Sequence, residues 1–254
     1  MHTEILQIIF PLILMVASGL VWWRLRLKRL KRYISPKLDN IDVYRKYNGE
    51  RFLTINSYAQ GVSINKPSIK KSYWYSVASS AIRLTRGKKP PQILMLGLGA
   101  NTISNLIAKI NSKVHQVIVE FDEDIIKACK DYFDLDKLPN SEIIHTDAYK
   151  LLDQKQAFKQ KFDCIIVDIF TGNPPYVSLA SNKPTFINKL LPYLKQDGSL
   201  IFNRPGHTDE ARADSQRLEK DLKLLFKETK ILDIKDPRGY RNNVIIGSSQ
   251  KYSQ

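Results

Sequence analysis

Residues 93–102 read ILMLGLGANT, and this stretch decides the fold. The four apolar residues at its start predict a buried strand, and the two glycines that follow predict a tight turn. The next segment is predicted to be an amphipathic helix with one apolar face, formed by Ile103, Leu106, Ile107 and Ile110. A buried strand, a glycine turn and a helix in this order are typical of the ligand-binding unit of an open α/β sheet.

Downstream, short apolar runs alternate with segments of helical periodicity, which predicts a parallel sheet covered by helices. The further strands are predicted at residues 116–120, 142–145, 164–167, 199–203, 231–234 and 243–246. The last two form a closing antiparallel hairpin, which is usual in methyltransferase-type sheets and uncommon in dinucleotide-binding domains. We therefore predict an α/β fold with a Rossmann-like class I methyltransferase sheet. The helix after the second strand is expected to begin near Asp124.

A small β region is predicted at residues 40–65, before the main domain at 66–254. Residues 41–44 and 52–55 alternate apolar and polar side chains on either side of Asn48-Gly49, which is a strong hairpin signal. Residues 58–64 are a candidate third strand.

The N-terminus carries an uncharged run, residues 5–23, that is long enough to cross a bilayer core of about 30 Å. We predict a transmembrane helix at 1–23 and a basic juxtamembrane linker at 24–39, in which Ser35-Pro36 ends any continuing helix. Because the cations follow the apolar run, the expected location is single-pass in the membrane with a cytoplasmic catalytic domain. A helix lying on the membrane surface or packed against a partner is the alternative.

The formal net charge of the 254 residues is +15. Seven of the cations lie within residues 1–38, where Glu4 is the sole acid. Cations next to a membrane are attracted by anionic lipid, so we expect a membrane contact and do not expect a nucleic-acid partner. Cys129 and Cys164 lie in apolar runs and are expected to be buried and reduced. His115, His145 and His207 lack companions at ligand spacing, so no metal is predicted.

Acidic residues follow the predicted strands. Glu120 ends the second strand, with Asp122 beside it, Asp147 follows the third and Asp168 follows the fourth. Because the carboxyl ends of parallel strands share one edge, these side chains should cluster near Gly97 and Gly99, the glycines of the turn. Each is also open to interpretation as an ordinary cap; Asp147 in particular is a suitable cap for residues 148–152.

The predicted ligand is an adenosyl compound. Glu120 is placed to accept hydrogen bonds from ribose hydroxyls, Asp147 with Ala148 to approach adenine, and Asp168 to face the reactive end. A dinucleotide fingerprint needs glycine where this chain has Thr102, whereas S-adenosylmethionine has no phosphate and needs only an open turn.

From residue 44 to residue 246 the chain resembles the spermidine synthase-like group, relatives of the polyamine aminopropyltransferases. The resemblance is carried by the segments YAQG (58–61), YWY (73–75), ILMLGLG (93–99), VIVEFD (117–122), HTDA (145–148) and FDCIIVD (162–168). It implies S-adenosylmethionine or decarboxylated S-adenosylmethionine as the bound compound, and Gln60 and Tyr75 as substrate-binding residues. It is also consistent with a homodimer.

Departures from the family pattern complicate the reaction. Ala100 stands where the family's glycine loop has Asp, and Thr171 stands where a second Asp after the fourth strand is implicated in deprotonating the amine. Cationic substrates need acids in their pocket, so these changes favour methyl transfer over aminopropyl transfer. We expect a membrane-anchored transferase acting on a small-molecule acceptor, for which an amine is one candidate. The alternatives are a true aminopropyltransferase and an inactive nucleoside-binding or scaffold protein.

Overall fold

The computed structural model describes residues 27–170 and 179–251. The N-terminal part is a four-stranded antiparallel sheet with its strands in chain order. These strands are β1 (Lys28–Ser35), β2 (Asp39–Arg45), β3 (Arg51–Ile55) and β4 (Tyr58–Val62). The hairpin predicted about Asn48-Gly49 is confirmed, since Arg45 pairs with Arg51 across the turn and Gly49 has a φ of +83°. The candidate third strand is β4.

Strand β1 corrects the prediction of a basic linker at 24–39. Tyr33 and Ser35 are buried, whereas Lys31, Arg32 and Ile34 between and before them are exposed, which is the alternation of a strand with one covered face. The basic residues of this segment obscured the alternation in the sequence. Arg32 pairs with the buried Asp42 at 2.7 Å, so its charge lies along the neighbouring strand β2.

The main domain contains a seven-stranded sheet. Its strands are β5 (Gln92–Leu96), β6 (His115–Glu120), β7 (Ser141–His145), β8 (Phe162–Val167), β9 (Leu194–Pro205), β10 (Phe226–Lys235) and β11 (Arg241–Gln250). Their order is β10-β11-β9-β8-β5-β6-β7, with β5 to β9 parallel and β11 antiparallel to both of its neighbours. The predicted α/β methyltransferase-type sheet with a closing hairpin is therefore confirmed.

Helices cover both faces of this sheet. They are α1 (Tyr73–Leu84), α2 (Thr102–Ile110), α3 (Glu123–Tyr132), α4 (Ala148–Leu152), α5 (Pro184–Leu190) and α6 (Asp209–Leu225). Alternate residues of β5 point to opposite cores: Ile93 and Met95 pack with the first three helices and the N-terminal sheet, Leu94 and Leu96 with the last three helices. Both cysteines are free and buried, as predicted.

The helix after β6 begins at Glu123, and its N-cap is Asp122, two residues before the predicted cap Asp124. The Asp122 side chain caps it by accepting hydrogen bonds from the backbone N–H groups of Asp124 and Ile125, at 2.9 and 3.1 Å. Asp124 therefore lies inside the first turn of α3.

The predicted transmembrane helix at 1–23 lies outside the described residues. Across residues 27–170 and 179–251, no helix is both long and apolar enough to span a bilayer. The described residues give no support to the expected single-pass membrane location with a cytoplasmic catalytic domain, and that expectation is not retained. The 17-residue α6, for example, carries charged side chains throughout its length and is too polar to span a bilayer.

Candidate active site

A pocket opens at the carboxyl ends of β5, β6 and β8, where the N-terminal sheet meets the main sheet. It encloses about 870 Å³, counting the solvent at its mouth. Its lining consists of Leu38, Ile55, Gln60, Tyr73, Gly97, Gly99, Val119, Glu120, Phe121, Ile125, Thr146, Asp147, Ala148, Tyr149, Asp168, Ile169 and Phe170.

The glycine turn allows three backbone segments to come together. Gly97 has a φ of +93°, and a Cβ atom there would collide with the carbonyl oxygen of Asp168. Gly99 has a φ of +56°, and its Cβ would lie 2.8 Å from the carbonyl oxygen of Gln60. The glycines are therefore required by contacts of the turn with β4 and with the end of β8.

Thr102 attaches strand β4 to this turn. Its hydroxyl accepts a hydrogen bond from the Val62 N–H and donates one to the Val62 carbonyl, both at 2.8 Å. Ala100 is buried directly beneath Gly61, whose Cβ would lie 2.7 Å from the Ala100 methyl group. The two departures noted in the turn thus have a packing role, since they hold the N-terminal sheet over the pocket.

Glu120 is a buried residue of the pocket lining. One carboxylate oxygen accepts from the Leu98 N–H at 2.9 Å, and the other accepts from the N–H groups of Phe121 and Asp122 at 2.9 and 3.0 Å. Burial raises the pKa of Glu120 to about 7, although these three N–H groups act in the opposite direction. Carboxylate oxygens can accept further hydrogen bonds, so Glu120 remains available to hydroxyl groups of a ligand.

Asp168 ends strand β8 on the same side of the pocket. Its carboxylate accepts a hydrogen bond from the Asn203 amide at 2.7 Å, and Asn203 in turn accepts one from Asn242 at 3.0 Å. Burial raises the pKa of Asp168 to about 6, while Asn203 and the nearby Arg204 charge lower it. Asp168 is therefore an oriented carboxylate that is more basic than an ordinary aspartate.

Asp147 both caps α4 and lines the pocket. It accepts a hydrogen bond from the Tyr149 N–H at 2.8 Å, so the capping interpretation holds. Ala148 and Tyr149 line the pocket beside it.

Two of the predicted site residues do not line the pocket. Asp122 caps α3 and accepts a hydrogen bond from the buried Ser35 hydroxyl, so its role is to join β1 to the main domain. Tyr75 is not part of the pocket lining, whereas Tyr73, two residues earlier in the first turn of α1, lines the pocket. The predicted Gln60, Gly97, Gly99, Glu120, Asp147, Ala148 and Asp168 all line it, whereas Thr171 lies outside the described residues.

Several residues of the site were missed. Tyr73 is buried and hydrogen-bonds with Asn203, and burial together with the Asp168 charge raises its pKa. Leu38 and Ile55 reach the pocket from the N-terminal sheet. The helical spacing of 73 and 75 shows that only one of the two can face a given side, but nothing in the sequence indicates which one.

The charges of the lining are all of one sign. Glu120, Asp147 and Asp168 are acidic, and none of the described residues in the lining is Lys, Arg or His. Arg204 lies close behind Asp168 but is fully buried. The pocket is therefore suited to a ligand that carries positive charge.

Fold and pocket together define an α/β protein with an acidic pocket at the carboxyl edge of a methyltransferase-like sheet. The model of the spermine/spermidine synthase domain matches residues 76–253, which is well over half of the chain. The chain belongs to this family.

Curated relatives agree with this assignment. The polyamine aminopropyltransferase of Vibrio vulnificus is 26% identical over 137 residues, which cover 54% of this chain and 45% of that protein. The polyamine aminopropyltransferase of Clostridium tetani is 25% identical over 212 residues, covering 78% and 72%. The chain thus spans between about half and three quarters of the length of these relatives.

Solved structures share the fold. A probable spermidine synthase from Corynebacterium glutamicum superposes with a TM-score of 0.68 at 19% identity, over 89% of this chain and 81% of that one. A spermidine synthase in complex with the transition-state analogue AdoDATO gives 0.66 at 17% identity, over 87% and 72%. Human methyltransferase-like protein 13, in complex with SAH, gives 0.57 at 18% identity, over 71% and 83%.

Proposed function

We propose that this protein transfers an aminopropyl group from decarboxylated S-adenosylmethionine to an amine. The observation that carries the proposal is the charge of the pocket: three carboxylates and, among its described lining residues, no cation. The names of the curated relatives support the same reaction. This proposal replaces the methyl transfer that the sequence favoured.

The charge argument distinguishes the two donors. S-adenosylmethionine carries a carboxylate, which would enter a site lined by three acids and, among its described lining residues, by no cation; this costs free energy. Decarboxylated S-adenosylmethionine carries an ammonium and a sulfonium and no carboxylate. Its charges are opposite to those of Glu120, Asp147 and Asp168, so the pocket favours this donor.

The packing of the turn weakens the earlier argument from missing acids. Ala100 lies beneath Gly61 with little free space, so this position contributes to packing and leaves the charge to the three remaining carboxylates. The pKa of Asp168 is about 6, so its carboxyl group is ionised at neutral pH and still able to accept a proton.

We assign the roles as follows. Glu120 holds the ribose hydroxyls, and Asp147 with Ala148 holds the adenine edge. Asp168, oriented by Asn203, faces the reacting amine, with Tyr73 beside it and Gln60 covering the acceptor side. In the transfer, the amine nitrogen forms a bond to the propyl carbon attached to sulfur, and the carbon–sulfur bond breaks with its electron pair going to sulfur. Methylthioadenosine leaves, and the proton lost by the amine passes to Asp168.

Binding and turnover of the full chain test the proposal separately. Calorimetry should show that decarboxylated S-adenosylmethionine binds at least about tenfold more tightly than S-adenosylmethionine. A tenfold difference in affinity requires only that the carboxylate in the acidic pocket costs about 1.4 kcal/mol of binding free energy. With putrescine as the probe amine, the protein should release methylthioadenosine. Tighter binding of S-adenosylmethionine, or methyl transfer to the amine, would refute the proposal.

Asp168→Asn tests the assigned base. We expect it to reduce kcat by about 100-fold or more, the range of general base catalysis, with a smaller effect on donor affinity. Asp163→Asn is the matched control, because Asp163 is a buried acid on the same strand β8 whose partners are the Gln92 N–H and Lys195. Equal loss of kcat in both variants would show that Asp168 acts through folding alone.

A further inference from the structure

The order of the strands gives the pocket two distinct ends. Glu120 and Asp147 follow β6 and β7, whereas Asp168 follows β8, on the other side of β5. Neighbouring strands lie about 4.8 Å apart, so β7 and β8 are separated by about 14 Å. With the ribose at Glu120 and the adenine at Asp147, the reacting amine and the rest of the acceptor lie at the β8 end.

The β8 end of the pocket is apolar beyond Asp168. Ile169 and Phe170 directly follow Asp168 and both line the pocket; we call these two residues the apolar wall. Ile169 packs against the glycine turn, where a Cβ on Gly97 would lie 3.2 Å from its Cγ2 atom. The next eight residues of the sequence, TGNPPYVS, are uncharged, so the sequence supplies no acid directly after the wall.

A buried cation lies behind the apolar wall. Arg204 is 1% exposed, and its guanidinium carbon lies 5.9 Å from the centroid of the Phe170 ring. The guanidinium is fixed there by hydrogen bonds to the Ser181 hydroxyl at 3.0 Å and to the Asn203 carbonyl at 2.6 Å. An aromatic ring attracts a cation, but Arg204 already occupies this position at Phe170 and its charge repels a second cation near the ring.

The balance of charge at this end differs for a monoamine and a diamine. Among the described lining residues Asp168 is the one acid that follows β8, and it has to serve both the reacting amine and the ammonium of the donor. A second ammonium on the acceptor would lie against the apolar wall without an acid and with Arg204 behind it, which costs free energy. A hydrocarbon chain in the same place would gain free energy by leaving water.

We propose that the acceptor is a monoamine with a hydrocarbon body, which places its nitrogen at Asp168 and its body on the apolar wall, and that diamines are poorer acceptors. This inference rests on the proposed function and names the class of amine that the site takes. The transfer itself is unchanged: the amine nitrogen forms the bond to the propyl carbon, sulfur leaves with the electron pair, and the proton passes to Asp168.

The test compares two amines of equal length with the full chain and decarboxylated S-adenosylmethionine. Putrescine and n-pentylamine differ only in the far end, where n-pentylamine has a methyl group in place of the second ammonium. From the release of methylthioadenosine we expect kcat/KM to be at least about tenfold higher for n-pentylamine. An equal or higher kcat/KM for putrescine would overturn the proposal.

Phe170→Asp places an acid in the apolar wall and should shift the ratio of the two kcat/KM values toward putrescine by about tenfold. Phe121→Asp is the matched control. Phe121 also lines the pocket and has a cation over its ring, Lys37 at 5.4 Å, but it follows β6, two strands away from β8. The control should leave the ratio unchanged even where donor binding falls, because donor binding affects both amines equally. Equal shifts in the two variants would contradict the role of the wall.

A failure of the proposed function has a different signature. If neither amine led to release of methylthioadenosine, the aminopropyl transfer would be contradicted. Calorimetry of the two amines with the wild-type protein in saturating methylthioadenosine would then decide the inference by itself. Tighter binding of n-pentylamine would support the monoamine site, and tighter binding of putrescine would overturn it.

Discussion

Glu120→Gln is the substitution for which the structure makes the most quantitative prediction. The folded-state pKa of about 7 lies above the ordinary value of 4.5, so the folded protein binds a proton more tightly than the unfolded chain does. The contribution of Glu120 to the free energy of unfolding is therefore fully present below pH 4.5 and is lost as the pH rises through 7. A difference of two to three pKa units corresponds to about 3 kcal/mol.

Glutamine is neutral at every pH and cannot show this dependence. We expect the free energy of unfolding of Glu120→Gln, relative to that of the wild type, to rise by about 2.5 kcal/mol between pH 5 and pH 8. Urea denaturation at the two pH values measures this change. Glu50→Gln is the control: Glu50 is buried outside the pocket and paired with Lys46 at 2.6 Å.

Binding should respond in the opposite direction. An ionised carboxylate accepts hydrogen bonds from ribose hydroxyls more strongly than an amide does, and a bond to a charged group contributes about 1.5–3 kcal/mol. At pH 8 the variant should bind methylthioadenosine about 10- to 100-fold more weakly than the wild type. Wild-type affinity should increase as the pH rises through 7, with proton release on binding at pH 6. Equal affinity of variant and wild type at pH 8, with no proton release, would refute the assignment of Glu120 to the ribose.

Two further substitutions test the surroundings of the site. Gly97→Ala should destabilise the protein by more than Gly87→Ala in urea denaturation and should abolish methylthioadenosine binding. Both glycines have a positive φ, at which an alanine costs about 1–2 kcal/mol, but only at Gly97 would the added Cβ collide with Asp168. Equal destabilisation would contradict the close approach. Arg204→Met should shift the acidic limb of the kcat/KM profile to higher pH, because the Arg204 charge lowers the pKa of Asp168, whereas Arg204→Lys should keep the wild-type profile. An acidic limb at the same pH in the wild type and in both Arg204 variants would exclude this electrostatic role.

The main sheet could be predicted because its signals are local. Each strand from β5 to β9 is a short apolar run, and the helices between them have apolar residues at helical spacing. The strand-end acids follow from the rule that parallel strands end at one edge, and for this reason Glu120, Asp147 and Asp168 were found together.

Strand β1 could not be predicted because its burial depends on a distant partner. Tyr33 is buried by packing on the main domain, where its hydroxyl donates to Asp131 at 2.7 Å, nearly a hundred residues away. Its neighbours in sequence are cations, so the segment reads as a linker when taken alone. The same limit applies to Asp122, since nothing local distinguishes a helix cap from a ligand-binding acid at the end of a strand.

The prediction of methyl transfer rested on a missing acid whose packing context the sequence does not show. Ala100 suggested a lost acid, and the contact with Gly61 became visible only when β4 lay over the turn. The charge of the pocket comes from Glu120, Asp147 and Asp168, which lie in three separate segments, and it cannot be summed before the fold has brought them together.

The position of the pocket between two sheets has a consequence for the assembly of the molecule. Leu38, Ile55 and Gln60 come from the small sheet, while the acids come from the large one. A nucleoside that bound between the two sheets would stabilise their association, because its binding free energy is lost whenever the small sheet separates from the large one. At a hundred times Kd this linkage amounts to about 2.7 kcal/mol, so the supply of substrate would govern how long the N-terminal strands resist a protease.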